Sequence, residues 1–99
     1  MGQAQKKLEQ CILYGHVLLN LEGCDLKELP SNFPSWLTIL YCINNCLEQL
    51  PINLPTSLII LDCSNNQIKS LPTNLPASLL ILRCDDNYLE IAIQSARLS

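Results

Sequence analysis

The side chains with the widest chemical range in this 99-residue chain are six cysteines and a single histidine. Cysteines in that number could form a disulfide framework, hold a metal or supply a nucleophile. For a metal, Cys42-x3-Cys46 with His16 is the set to draw. Zinc, however, needs ligands that converge on one point, and no second cysteine pair of finger spacing is present. Asp62, Asp85 and Asp86 make a small acidic patch, which without further partners is a solvated face. There is no Gly-rich phosphate loop, nucleophile elbow or paired-carboxylate set. The expectation is a non-enzyme with no catalytic residue, no metal and no cofactor.

Spacing assigns the cysteines another role. Cys42, Cys63 and Cys84 stand 21 residues apart, and so do Asn45, Asn66 and Asn87. The unit that carries them is L-x-x-L-x-C-x-x-N-x-I/L: Leu58 to Ile68, Leu37 to Leu47 and Leu79 to Leu89, with a weaker copy from Leu19 to Leu26. A period of about 20–29 residues with this pattern is the signature of a leucine-rich repeat. Stacked repeats place equivalent side chains in columns, so the three cysteines form an inward ladder of small hydrophobes. Neighbouring strands lie about 4.8 Å apart with parallel Cβ vectors. A disulfide needs Cβ atoms about 3.8 Å apart and turned toward each other. Free, buried thiols are expected, and with them a reducing compartment. The asparagines fall where each strand turns and backbone polar groups need partners. An amide supplies two donors and an acceptor, so a structural ladder explains them better than an active site. Cys24 takes the asparagine's place in the first repeat.

The remaining segments position that unit. Residues 3–14 read as a helix with Ala4, Leu8, Cys11 and Ile12 on one apolar face and Gly15 as its stop. Residues 1–15 are therefore assigned as an N-terminal capping helix laid over the open end of the first repeat; the rival role is a partner-binding helix. Residues 16–99 form an array of about four 21-residue repeats, framed as 16–36, 37–57, 58–78 and 79–99, the last degenerate. In each, the leucine-cysteine segment is a short parallel strand, with Leu19 and Leu21, Leu40 and Cys42, Leu61 and Cys63, and Leu82 and Cys84 pointing inward. The return halves carry paired prolines: Pro30 and Pro34, Pro51 and Pro55, Pro72 and Pro76. Two prolines per turn exclude a regular helix and pre-set an extended backbone. Leu29, Leu50 and Leu71, with Phe33, Leu54 and Leu75, should face the core. A thin convex side implies only modest curvature of the sheet. Residues 90–99 lack proline and leave two readings, a closing helical turn or a ragged edge. The fold class is an α/β solenoid, right-handed: a short parallel β-sheet on the concave face, a polyproline-like convex side and the capping helix.

Composition narrows the function. A chain that is 48% hydrophobic and 15% charged is too apolar for disorder. A formal net charge of -3, with six scattered Lys and Arg, argues against nucleic acid as a partner. No apolar run approaches the roughly 18 residues that span a membrane, and the polar start Met1-Gly2-Gln3-Ala4-Gln5-Lys6-Lys7 has no signal-type apolar region. A myristoylation motif would need Ser or Thr where Lys6 stands. No membrane partner is expected.

The L-P-x-x-L-P-x-S-L-x-x-L-x-C-x-x-N-x-L unit, with Cys11-Ile12 leading into Leu19-Asn20-Leu21 and with Leu26-Lys27-Glu28-Leu29-Pro30, resembles the LPX-type leucine-rich repeats of bacterial type III secreted effectors. The resemblance runs over roughly residues 6–91. It implies a virulence-associated protein-recognition module that works in a host-cell cytoplasm, or more generally in a cytoplasm. Many members of that family carry a C-terminal ubiquitin-ligase domain with a catalytic Cys-x-Asp motif, and none is expected within these residues. Cys84-Asp85-Asp86 matches the motif literally, but Cys84 is an inward ladder position without a base to activate it. The family's usual Val or Leu at the ladder position is Cys here, and the array is shorter than usual.

Alternation along each strand exposes the positions between the core residues. One column is Leu18, Ile39, Ile60 and Ile81, apolar throughout; the next is Asn20, Tyr41, Asp62 and Arg83. A third is Glu22, Ile43, Ser64 and Asp85, with Gly23, Asn44, Asn65 and Asp86 beside it. Asp62 and Arg83 could pair across adjacent strands. An aliphatic stripe beside a varied polar column suits protein binding, and the expected concave-face contacts are Ile39, Tyr41, Ile60, Asp62, Ser64, Ile81, Arg83 and Asp85. Tyr41 and Arg83 lead because interface hot spots are enriched in Tyr and Arg. The partner is expected to be another protein. The alternative is a structural or self-associating repeat fragment, forming a homodimer through an open solenoid end.

Overall fold

A computed structural model describes residues 2–89. The chain runs from helix α1 (Gly2–Tyr14) into four three-residue strands: β1 (Leu18–Asn20), β2 (Ile39–Tyr41), β3 (Ile60–Asp62) and β4 (Ile81–Arg83). The strands form one parallel sheet in the order β1-β2-β3-β4, with register Leu18↔Ile39↔Ile60↔Ile81. Each register step equals the sequence repeat, so equivalent side chains stand in columns. This is a leucine-rich-repeat α/β solenoid. The assignment of residues 90–99 to a decayed end of the fourth repeat lies outside the described residues.

Helix α1 packs on β1 through Ala4, Leu8 and Cys11, and Leu8 is fully buried. Ile12, expected on the same face, is 39% exposed. Only the i, i+4, i+7 stripe reaches β1, and the next position turns away along the helix edge. Gly15 ends the helix with φ +66°, and the His16 amide donates to the Cys11 carbonyl at 3.0 Å. That is the six-to-one bond of a glycine-terminated helix. Lys7 reaches across to donate to the Asn20 carbonyl at 3.2 Å, occupying part of the free edge of β1.

The core is the inward column set. Leu37, Leu40, Cys42, Leu47, Leu58, Leu61, Cys63 and Ile68 are all fully buried. Burying each leucine contributes about 1.5–3 kcal/mol, and the stacked neighbours on both sides make that burial complete. Leu82 on β4 and Cys84 just after it are only half-buried. Behind the sheet, Leu29, Leu50 and Leu54 are buried, whereas Phe33, Leu71 and Leu75 pack against the core only partly covered. Among the described residues, the segments joining the strands contain no helix. Each closes with a turn in which an amide meets a proline carbonyl: Leu37 to Pro34, Leu58 to Pro55 and Leu79 to Pro76, at 3.1–3.2 Å.

Asparagine side chains tie successive turns together. Asn66 Nδ2 donates to the Cys42, Cys63 and Ser64 carbonyls, and its Oδ1 accepts from the Leu47 amide at 2.9 Å. Asn45 and Asn87 repeat the arrangement one turn before and one turn after. Cys24, at the head of this column, makes one equivalent contact, from its thiol to the Glu22 carbonyl at 3.7 Å. It has no preceding repeat to reach.

A second polar ladder runs on the convex side. Asn53 donates to Ser31 O and Asn74 to Ile52 O. Ser57 and Ser78 donate to the Leu37 and Leu58 carbonyls at 2.6 and 2.7 Å. Trp36 holds the same column and makes the equivalent bond with its indole, Nε1 to His16 O at 2.9 Å.

Candidate functional site

Strands β1, β2 and β3 bury their central leucine, β4 half-buries Leu82, and each turns its two flanking residues outward, because side chains alternate along a strand. The pattern is exposed or half-buried, then covered, then exposed or half-buried, in all four. Sheet register sets Ile39 beside Ile60 beside Ile81, and Tyr41 beside Asp62 beside Arg83. Ser64 and Asp85 follow their strands, and main-chain bonds align them: Asn44 N to Ser64 O at 3.1 Å and Asn65 N to Asp85 O at 2.9 Å. The eight residues singled out from sequence thus stand in three adjacent columns on one face. Ile39, Tyr41, Ile60, Asp62 and Ser64 are half-buried, whereas Ile81, Arg83 and Asp85 are exposed.

The polar groups are partly committed to local structure. Asp62 Oδ1 accepts from the Ser64 amide at 3.1 Å and from the Ser64 hydroxyl at 2.7 Å. Asn20 Oδ1 accepts from the Glu22 amide at 3.0 Å in the first repeat. Both are side-chain turns of the Asx type. Asp62 is therefore oriented by Ser64, on its own chain segment, rather than by Arg83 on the next strand.

The column Gly23, Asn44, Asn65 and Asp86 has a backbone reason for its composition. Its φ angles are +65°, +57°, +59° and +54°. Left-handed backbone excludes most L-residues, and Gly, Asn and Asp are the types that tolerate it. The residue types of this column answer to the turn.

A further apolar column escaped the sequence reading. Val17, Ile59 and Leu80 are 52%, 38% and 80% exposed. With Thr38 they line up where each strand begins: the Ile59 amide donates to Thr38 O and the Leu80 amide to Ile59 O, both under 3.0 Å, and Thr38 N donates to Val17 O at 2.9 Å. The signal was present in sequence. Both residues between the two leucines of L-I-I-L and L-L-I-L are aliphatic, yet only one of them points down the concave column.

The ladder thiols Cys42, Cys63 and Cys84 are not set up for chemistry. All six cysteines are free. Cys42 and Cys63 donate through sulfur to the Asp62 and Arg83 carbonyls at 3.5 and 3.4 Å. Burial pushes the Cys63 thiol up to about 12, with neighbouring negative charge adding to it, and Cys42 is raised further for the same reason. Cys84 is also raised, by burial first and then by Asp85 and Asp62. In Cys84-Asp85-Asp86 the acid therefore opposes thiolate formation, the reverse of what a nucleophile requires. His16 stacks on Tyr14, ring centroids 5.9 Å apart. Among the described residues, no three His, Cys, Asp or Glu side chains gather as a metal site, and no helix is long and apolar enough to cross a membrane.

Comparison with known proteins places this geometry. No family model matches the chain, and no curated protein matches it. Among solved structures it is similar to YopM from Yersinia enterocolitica WA-314, 36% identical over 90% of this chain with a TM-score of 0.82. It is also similar to a Shigella effector LRR domain, 27% identical over 89% of this chain and 57% of that one, with a TM-score of 0.44. The likeness to YopM carries the comparison, and this chain spans 19% of that protein's length. In sequence pattern and in fold the chain resembles the leucine-rich-repeat solenoid of that bacterial protein.

Proposed function

We propose that this effector-type leucine-rich-repeat solenoid is a protein-recognition module that binds its target on the concave face of the sheet. One observation carries the reading: register lays an aliphatic column, Ile39, Ile60 and Ile81, directly beside a chemically varied one, Tyr41, Asp62 and Arg83. From the second repeat on, the Leu, Cys and Asn scaffold ladders are uniform. A column that changes from phenol to carboxylate to guanidinium is not explained by stacking. The aliphatic column supplies apolar contact, and the varied column sets which surface fits. Ser64 and Asp85 extend the polar side.

The ladder thiols Cys42, Cys63 and Cys84, held protonated by burial, serve as core side chains in this role. The likeness to bacterial effectors supports a target in a host-cell cytoplasm, where the module would select a protein for a longer effector to act on. The test is affinity capture from a eukaryotic lysate, followed by titration of the captured protein against Tyr41→Ala and Arg83→Ala. Truncating a central Tyr or Arg anchor costs about 2 kcal/mol or more, so affinity should fall about thirtyfold with thermal unfolding unchanged. Unchanged affinity in both variants places the binding face elsewhere.

A further inference from the structure

The concave face is polarised along the strand direction. At the strand starts, the column Leu18, Ile39, Ile60 and Ile81 on the face and the column Val17, Thr38, Ile59 and Leu80 flanking it carry no charged residue. Five of those eight are at least 38% exposed, Leu80 the most at 80%, and Thr38, Ile39 and Ile60 are half-buried. At the strand ends and just beyond them stand Asp62, Glu22, Asp85 and Asp86, against Arg83 as the basic residue among them. Lys7, at the capped end, has its ammonium tied to the Asn20 carbonyl at 3.2 Å.

Spacing selects the element that fits. The aliphatic columns cross the strands, so their side chains recur about every 4.8 Å along the solenoid axis. One face of a β-strand repeats about every 6.7 Å, which falls out of step within two strands. One face of an α-helix repeats about every 5.4 Å and stays near register across four. Three inter-strand steps make about 14 Å, roughly ten helical residues. Across the face, Ile60 to Ser64 advances roughly 13 Å if extended, close to the width of a helix with its side chains.

Resting on the recognition reading above, we propose that this face docks an amphipathic, basic α-helix of about three turns laid across the strands. Its apolar ridge covers the aliphatic columns, and a Lys/Arg flank on one side meets the carboxylates at the strand ends. Such helix docking takes its affinity from the i, i+3, i+4 and i+7 anchors of the bound helix. The charged flank fixes which way round it lies, because the reverse orientation would strand the basic residues over aliphatic side chains.

The test pans a phage-displayed library of random 16-residue peptides against the whole folded protein. The selected peptides are then titrated by fluorescence anisotropy against the protein and against a triple variant, Asp62→Asn, Asp85→Ser and Asp86→Asn. Sister repeats already hold Asn20, Ser64 and Asn65 at these positions, so the variant keeps its turns, which a thermal melt verifies. The expected result is enrichment of peptides with helical apolar spacing and a one-sided Lys/Arg stripe. They should gain helix signal on binding and lose affinity on the order of tenfold on the variant. Acidic or uncharged winners, winners indifferent to the triple variant, or no enrichment at all would each overturn the proposal. If those failures came with a captured protein that still loses affinity on Tyr41→Ala, the concave recognition reading would stand and only the helical occupant would fall.

Discussion

Replacing Asn66 with alanine tests the idea that the asparagine column is scaffold. Asn66 is 5% exposed and makes four side-chain bonds. Its three acceptors each keep a second partner when the amide is removed. Cys42 O still accepts from Asn45 at 3.1 Å, Cys63 O from Asn87 at 3.0 Å, and Ser64 O from the Asn44 amide at 3.1 Å. The group left without a partner is the buried Leu47 amide, which had only Asn66 Oδ1 at 2.9 Å. One orphaned buried donor costs about 1–3 kcal/mol, and losing the shared donors adds roughly 1 kcal/mol more. The expected destabilisation of Asn66→Ala is thus about 2–4 kcal/mol. Asn87→Ala orphans the Ile68 amide in the same way, but Asn87 is only half-buried and water can enter, so its cost should be about 1 kcal/mol. Urea denaturation followed by circular dichroism measures both. With a slope of about 1–2 kcal/mol/M, the Asn66→Ala midpoint should fall by about 2 M with the slope unchanged. Asn66→Asp keeps the acceptor for Leu47 but sets a carboxylate against three carbonyls. It should be worse than alanine at pH 7 and recover as pH falls and the carboxyl regains a proton. A midpoint for Asn66→Ala within about 0.3 M of the parent, or an equal loss in Asn87→Ala, would refute the single-orphan reasoning.

Three further outcomes follow from the same geometry. Because burial raises Cys63 to about 12 from an ordinary 9.0, and raises Cys42 in the same direction, the folded state favours neutral thiols. Their contribution is complete below pH 9 and is lost as pH climbs from there toward 12. Denaturation under reductant from pH 7 to 11 should show that decline, and Cys63→Val should flatten part of it. Asn65→Val forces a β-branched residue to φ +59° and should cost about 1–2 kcal/mol, whereas Asp86→Asn, which copies the residue at that position in two sister repeats, should leave the unfolding midpoint unchanged. Leu8→Ala hollows the contact between α1 and β1, where Leu8 is fully buried. It should cost about 2–5 kcal/mol and raise hydrogen exchange at β1 before β3.

Much of this protein is determined by its sequence because a solenoid is a periodic object. A side chain repeated every 21 residues must occupy a column whatever the detail of the turns, so the inward leucines, the thiol ladder and the asparagine ladder could be read without coordinates. The paired prolines excluded a convex helix by their missing amides, and Gly15 marked the end of α1 by its freedom to adopt a left-handed backbone. Tertiary structure decided what periodicity leaves degenerate. Whether Gly23, Asn44, Asn65 and Asp86 serve a ligand or a turn depends on the sign of φ, which no spacing reveals. That Trp36 substitutes for a serine hydrogen bond depends on where its indole reaches. The exposed column of Val17, Ile59 and Leu80 depends on how each strand begins: two adjacent aliphatic residues read alike in sequence, and only the path of the backbone shows that both meet solvent. Ile12 and Leu8 likewise share an apolar character, but a helix touches a single strand edge along one narrow stripe, and that contact admits Leu8 and turns Ile12 outward.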